Sequence, residues 1–136
     1  MITIPGRPLG KQRARTIKSG RSYTPEQTVN YETFVKICYI EQKGQYLGEI
    51  PLRMEINAYY PIPKSTSKKN RAKMLSGEIR PTVKPDLSNV IKSIEDGLNN
   101  VAYKDDNQII TLIAMKFYDD VPRVEISMYD ESITAF

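Results

Sequence analysis

At 136 residues and 15.6 kDa, the chain is long enough to bury a real core and short enough for one domain, read here as spanning residues 1–136. It has no histidine and a single cysteine, Cys38, which excludes intramolecular disulfides, cysteine zinc clusters and Ser-His or Cys-His nucleophiles and leaves carboxylate and lysine chemistry. The formal net charge of +4 is uneven: residues 7–21 carry six Lys or Arg and no acid, residues 64–84 carry seven against Glu78 alone, and the remainder sums to −8.

In chain order, Ile2 to Ile4 reads as a short strand broken by Pro5-Gly6. The basic loop from Arg7 to Arg21 contains Gly10 and Gly20, so Lys11, Arg13 and Arg15 are candidates to order on a phosphate backbone. Thr24-Pro25-Glu26-Gln27 has the form of a capping box with proline at the first helical position. Tyr31, Phe34, Val35 and Cys38 then supply the apolar stripe of a helix ending near Gly44.

Leu52, Met54, Ile56, Ala58 and Tyr60 alternate with Arg53, Glu55, Asn57 and Tyr59, the signature of a strand buried on one face and ended by Pro61-Ile62-Pro63. Ser67 caps a short helix through Lys68, Lys69, Arg71, Lys73 and Met74, closed by Gly77. That helix is too polar for the core. With Lys64 it makes a candidate DNA-facing surface, against the alternative of a solvated face.

Lys84 to Ile110 is the chemically densest stretch. Pro85 disfavours helix at Lys84, so a helix begins around Asp86 to Ser88. At about 100° per residue, Val90, Ile91, Ile94, Leu98 and Val101 share one face. Ser88, Lys92, Glu95 and Asn99 fall roughly opposite, with Asn89 and Asp96 at its edge. Asn99 and Asn100 tolerate the geometry that stops a helix, and Tyr103 to Asn107 turns into an apolar run. Taken singly, Asp86 is an N-cap, Asp105-Asp106 a solvated turn and Lys92 a solvent-facing lysine. Together, Asp86, Asp106 and Lys92 offer what phosphate chemistry requires: hard carboxylate oxygens from separate segments and a nearby cation.

Ile109 to Tyr118 is apolar on both parities and reads as a central strand. Val124, Ile126 and Met128 alternate in a last strand, with Asp119-Asp120 as the turn of an antiparallel hairpin between the two. The expected fold is α+β, a mixed, largely antiparallel sheet packed against two longer helices and one short one. Neither a signal peptide nor an apolar run of bilayer length is seen, so a cytoplasmic protein without a membrane partner is expected.

The run Pro85-Asp86-Leu87-Ser88-Asn89-Val90-Ile91-Lys92, then Asp96-Gly97-Leu98-Asn99 and Lys104-Asp105-Asp106-Asn107-Gln108-Ile109, resembles the RusA family of Holliday junction resolvases. The family's pattern is P-D-x-D-N-x-x-K, then D-x-L, then a D-D-x-Q turn. Ile4-Pro5-Gly6-Arg7-Pro8, Tyr23-Thr24-Pro25, Tyr60 to Ser65 and Pro122-Arg123-Val124-Glu125 are similar to its phage and Gram-positive branch. The resemblance implies a RusA-like fold and a homodimeric endonuclease that cuts four-way DNA junctions by symmetric nicks. It also implies dependence on magnesium, with manganese as a substitute.

By the same resemblance, Asp86 and Asp106 match metal-binding aspartates, Asp105 is a further metal candidate, and Lys92 matches the lysine needed for cleavage. Ser88 stands where the family has its second aspartate. A neutral hydroxyl is a poor magnesium ligand beside a carboxylate, so impaired activity is expected, and a junction-binding protein of weakened catalysis is the alternative reading. A nuclease for another branched nucleic acid is the third, because fold does not dictate substrate shape.

Overall fold

The computed structural model describes residues 1–11, 15–16, 22–23 and 26–132, with side chains described at 1–11 and 30–132. Thr24, Pro25 and the side chains of Glu26 and Gln27 in the predicted capping box, the loop glycine Gly20, Arg13 and the side chain of Arg15 lie outside this described set. The elements are β1 (Ile2–Pro5), β2 (Arg15–Thr16), β3 (Ser22–Tyr23), α1 (Glu26–Glu41), β4 (Leu52–Pro61), α2 (Lys68–Leu75), α3 (Leu87–Leu98), a 3-10 turn (Asp106–Gln108), β5 (Ile109–Asp119) and β6 (Arg123–Asp130). The fold is α+β. β2, inside the basic loop, pairs antiparallel with β3 just beyond it in a small two-stranded ladder not predicted from sequence.

The main sheet has the order β1-β6-β4-β5. β1 pairs with β6 and β6 with β4 antiparallel, whereas β4 and β5 run parallel, joined by the connection that carries α2 and α3. β4 matches its sequence pattern: Leu52, Met54, Ile56 and Ala58 are fully buried and Tyr60 nearly so, alternating with half-buried neighbours.

Two sequence expectations need correction. β5 is an edge strand, although both its faces are apolar, and β5 and β6 form no hairpin because β4 lies between them. Asp120-Val121-Pro122 is long enough for this. Four Cα steps reach up to about 14 Å, more than the roughly 9.6 Å across two strand spacings.

α1 and α3 pack on the Leu52 face of the sheet, with Tyr31, Val35, Cys38 and Tyr39 of α1 meeting Val90, Ile94 and Leu98 of α3 in one cluster. Phe34, placed in the α1 stripe by sequence, stays partly exposed, and Tyr39 takes the core position instead. The α1–α3 crossing is close at Gly97, where an added Cβ would come within 2.9 Å of the Val35 Cβ and 3.2 Å of the Glu32 carbonyl oxygen. Gly97→Ala is therefore expected to destabilise the protein by about 1–3 kcal/mol despite alanine's better helix propensity. A denaturant melt with an unchanged or raised midpoint would show that the helices can part at no cost.

The N-terminal segment lies along the first turns of α3. The Lys11 amide donates to the Asn89 carbonyl at 3.0 Å, and the buried Ser93 hydroxyl lies 2.8 Å from the carbonyls of Leu9 and Val90. Gly10 is needed there, because a Cβ would meet that of Asn89 at 2.9 Å. Among the described residues, no helix is long and apolar enough to cross a membrane.

Candidate active site

α3 begins at Leu87, after a bend over Val83 to Pro85, with Asp86 at the N-cap position in β geometry (φ −69°, ψ 155°). Its carboxylate makes no cap bond. It accepts instead from the Asn89 side-chain amide at 2.6 Å and stays exposed. Around this end lie the Tyr60 hydroxyl, which donates to the Pro85 carbonyl, and Lys116, whose ammonium sits 4.6 Å from the centre of the Tyr60 ring. Burial, then the charge of Asp86, pushes the Tyr60 phenol up to about 12, against the opposing effect of Arg7. Ser88 is exposed, one turn before Lys92.

Further along α3, Lys92 extends its ammonium between two carboxylates, 3.3 Å from Asp96 Oδ1 and 3.4 Å from Asp106 Oδ2. One contact is the i,i+4 pair of the helix; the other reaches across to the 3-10 turn. Burial works against its charge, but Asp96 and Asp106 outweigh that effect and raise its pKa. The second oxygen of Asp96 is bound by Lys11, which also lies 3.2 Å from Glu32 Oε1 on α1. Lys11, Asp96, Lys92 and Asp106 thus form one chain of alternating charge, linking the start of the basic loop to the turn before β5.

The turn itself is capped by Asp105. Its carboxylate accepts from the Asp106 amide at 2.9 Å and from the Gln108 backbone, while the Gln108 side chain accepts from the Asp105 amide at 2.8 Å. The structure therefore gives Asp105 a turn-capping role and leaves the carboxylate of Asp106 turned toward Lys92. Asn100, with φ of 69°, ends the helical segment before it.

Negative charge exceeds positive here. Burial raises the Glu95 carboxyl above its usual range, with Asp106 and then Asp96 adding to the shift and Lys92 opposing it. The fully buried Tyr103 donates to the Glu95 carbonyl at 2.7 Å. Its hydroxyl is pushed far up by burial and by Glu95, Asp106, Asp96 and Asp105 together. Among the described residues no three His, Cys, Asp or Glu side chains converge as a metal cage. The donor set is nevertheless of the right kind for magnesium, which binds through one or two carboxylates and keeps several waters: uncapped Asp86, Asp106, and a local excess of hard oxygen charge.

Of the residues read from sequence, the structure joins Lys92 to Asp106. Asp86 and Ser88 stand nearer the start of the same helix. Lys64, Lys68 and Lys69 are exposed around α2, Lys73 is partly exposed in its last turn, and Arg71 is paired with Asp120. Lys11 is held inside by Asp96 and Glu32. Sequence reasoning assigned no role to Asp96, Glu32 or Tyr103. The i,i+4 spacing of Lys92 and Asp96 was the available signal for the first, whereas Glu32 and Tyr103 arrive through tertiary contacts that no local pattern announces.

A family model described as Endodeoxyribonuclease RusA matches residues 5–129. The chain is similar to "Uncharacterized protein YqaN" of Bacillus subtilis (strain 168), with 34% identity over 136 residues and 96% of each chain covered. It is also similar to "Crossover junction endodeoxyribonuclease rusA" of Lactococcus phage r1t, with 27% identity over 107 residues, 78% of this chain and 75% of that protein.

Proposed function

The chain belongs to the RusA endodeoxyribonuclease family, and from that membership we propose that it resolves four-way DNA junctions by magnesium-dependent phosphodiester hydrolysis, as a cytoplasmic homodimer nicking symmetrically. RusA-family nucleases are generally metal-dependent. In this reading Asp86 and Asp106 hold the metal, with Ser88 at the position of the family's second aspartate. When bound, magnesium supplies an activated water and neutralises a non-bridging phosphate oxygen.

The remaining roles belong to the chain. Lys92 stabilises the charge that gathers on the phosphate in the transition state, or aids departure of the 3′-oxygen. Asp96 and Asp106 hold its ammonium in place before the substrate arrives. The observation that supports this reading best is that bridge across α3 and the 3-10 turn. It is tested by single-turnover cleavage of a mobile four-way junction over a magnesium titration, beside linear duplex, flap and RNA controls. Selective nicking of the junction supports the reading; preferential cutting of a control would move the substrate elsewhere. A second reading, a junction binder of weakened catalysis, is favoured by the hydroxyl at Ser88, and binding without cleavage would select it.

Lys64, Lys68 and Lys69 are proposed to meet DNA phosphates. Changing all three to Gln is expected to weaken junction binding and to lower the slope of log affinity against log salt by about 3. Their exposure means that the melt should not move. An unchanged salt slope would remove α2 from the DNA-binding surface.

A further inference from the structure

We infer that the outer edge of β5 is where a second copy of this chain pairs, in antiparallel register about a two-fold axis near Leu112, so that the two sheets join into one of eight strands. The inference rests on the homodimer reading above and names its surface.

β5 has eleven residues, and β4 occupies only one of its edges. At its far end Arg80 donates to the Lys116 carbonyl at 2.9 Å and Lys116 to the Val83 carbonyl at 2.7 Å, so the segment before α3 guards residue 116. Among the described residues, no backbone hydrogen bond outside the β4 ladder reaches residues 110–115. Strand geometry turns alternate residues the same way, so with Lys116 pointing outward, Ala114 and Leu112 also present N–H and C=O groups along the open edge.

The side chains along this edge are apolar on both faces. Ile110, Leu112 and Ile113 are 62%, 40% and 43% exposed, and Met115 is also exposed. Long, open, two-faced apolar edges are the kind that proteins cover or blunt with charge, and residues 109–115 carry no charge at all. The same pattern made β5 read as a central strand from sequence; pairing with a second copy makes it one.

A second copy also fits better than an unrelated strand. About a two-fold at Leu112, Ile110 faces Ala114 and Thr111 faces Ile113, and no like charges are opposed. The axis of such a pair is perpendicular to the sheet, so both helix layers, and both Lys92–Asp106 sites, lie on one side. A branched DNA of two-fold symmetry can then be met by both sites at once.

The test is the oligomeric state of the full chain by sedimentation equilibrium, with Ile113→Lys beside it. The wild type is expected to be a dimer with a melt that rises with protein concentration, and the variant to show a dissociation constant raised about 100-fold or more while keeping the circular-dichroism spectrum of the folded chain. Independently, Leu112→Cys should form an intermolecular disulfide on mild oxidation, because opposed Cα atoms in a hydrogen-bonded pair lie about 5.5 Å apart. Ile40→Cys, on the outer face of α1, should not. Unaltered dimerisation of a folded Ile113→Lys, or no cross-link at position 112 in a dimeric protein, overturns the β5 interface and leaves the homodimer and nuclease readings standing. A monomeric wild type that still cuts junctions overturns the interface and the homodimer together while leaving the nuclease.

Discussion

Lys92→Ala is expected to leave junction affinity within a few fold while lowering the single-turnover cleavage rate by about 10²–10³-fold, the loss typical of removing one preorganised charge donor. The reason lies in how the ammonium is held. In the free protein it bridges Asp96 and Asp106, so it contributes little to a surface that attracts DNA from a distance, while its position is already set for a phosphate brought to that turn. An interaction realised mainly in the transition state appears in rate more than in binding. Lys92→Arg keeps the charge but replaces a compact ammonium with a planar fork, so recovery should be partial.

The raised pKa of Lys92 gives a further check: because the folded value lies above the ordinary lysine range, the side chain stays charged through neutral and mildly alkaline pH. The wild-type rate should therefore show no downward limb from this group until the pH exceeds that range. If affinity and rate fall in proportion in Lys92→Ala, the residue is a phosphate clamp and its catalytic role is lost.

Ser88→Asp is expected to act in the opposite direction, raising the magnesium-dependent nicking rate by about tenfold or more and lowering the magnesium concentration needed for half of it. Position 88 lies in the first turn of α3, two residues after Asp86, and its side chain is exposed. A carboxylate there adds a hard ligand beside one that has no cap bond to lose. It also sits at the positive end of the helix dipole, so the variant should be at least as stable as the parent. The new carboxylate would stand one turn from Lys92 as well, and an i,i+4 pair between them would draw the ammonium from Asp106. Measuring the rate and the magnesium midpoint together separates these effects: a lowered midpoint with an unchanged plateau reports ligand gain offset by loss of the Lys92 position. Equal rates and equal midpoints in the two forms would take residue 88 out of the metal site.

What the sequence determined by itself was local. The alternation from Leu52 to Tyr60 named a strand and its buried face, the 3.6-residue period of Val90, Ile94 and Leu98 named a helix and its packed face, and Ser67 and Gly77 bracketed α2, because each of these signals acts within a few residues. The family motif carried the candidate roles of Asp86, Asp106 and Lys92 in the same way, through fixed spacing in one stretch. Tertiary structure alone decided which strands are neighbours, since a period of two says which side chains share a face but not which backbone lies beside it. Hence β4 came between β5 and β6, where a short turn had suggested a hairpin. Only the fold could bring Lys11 to both Asp96 and Glu32, contacts spanning 85 and 21 residues of chain that meet where α1 crosses α3 near Gly97. The two-faced apolar pattern of β5 marks the limit between the two. It records that both faces are to be covered, while the choice of cover is made by packing, which a linear pattern does not encode.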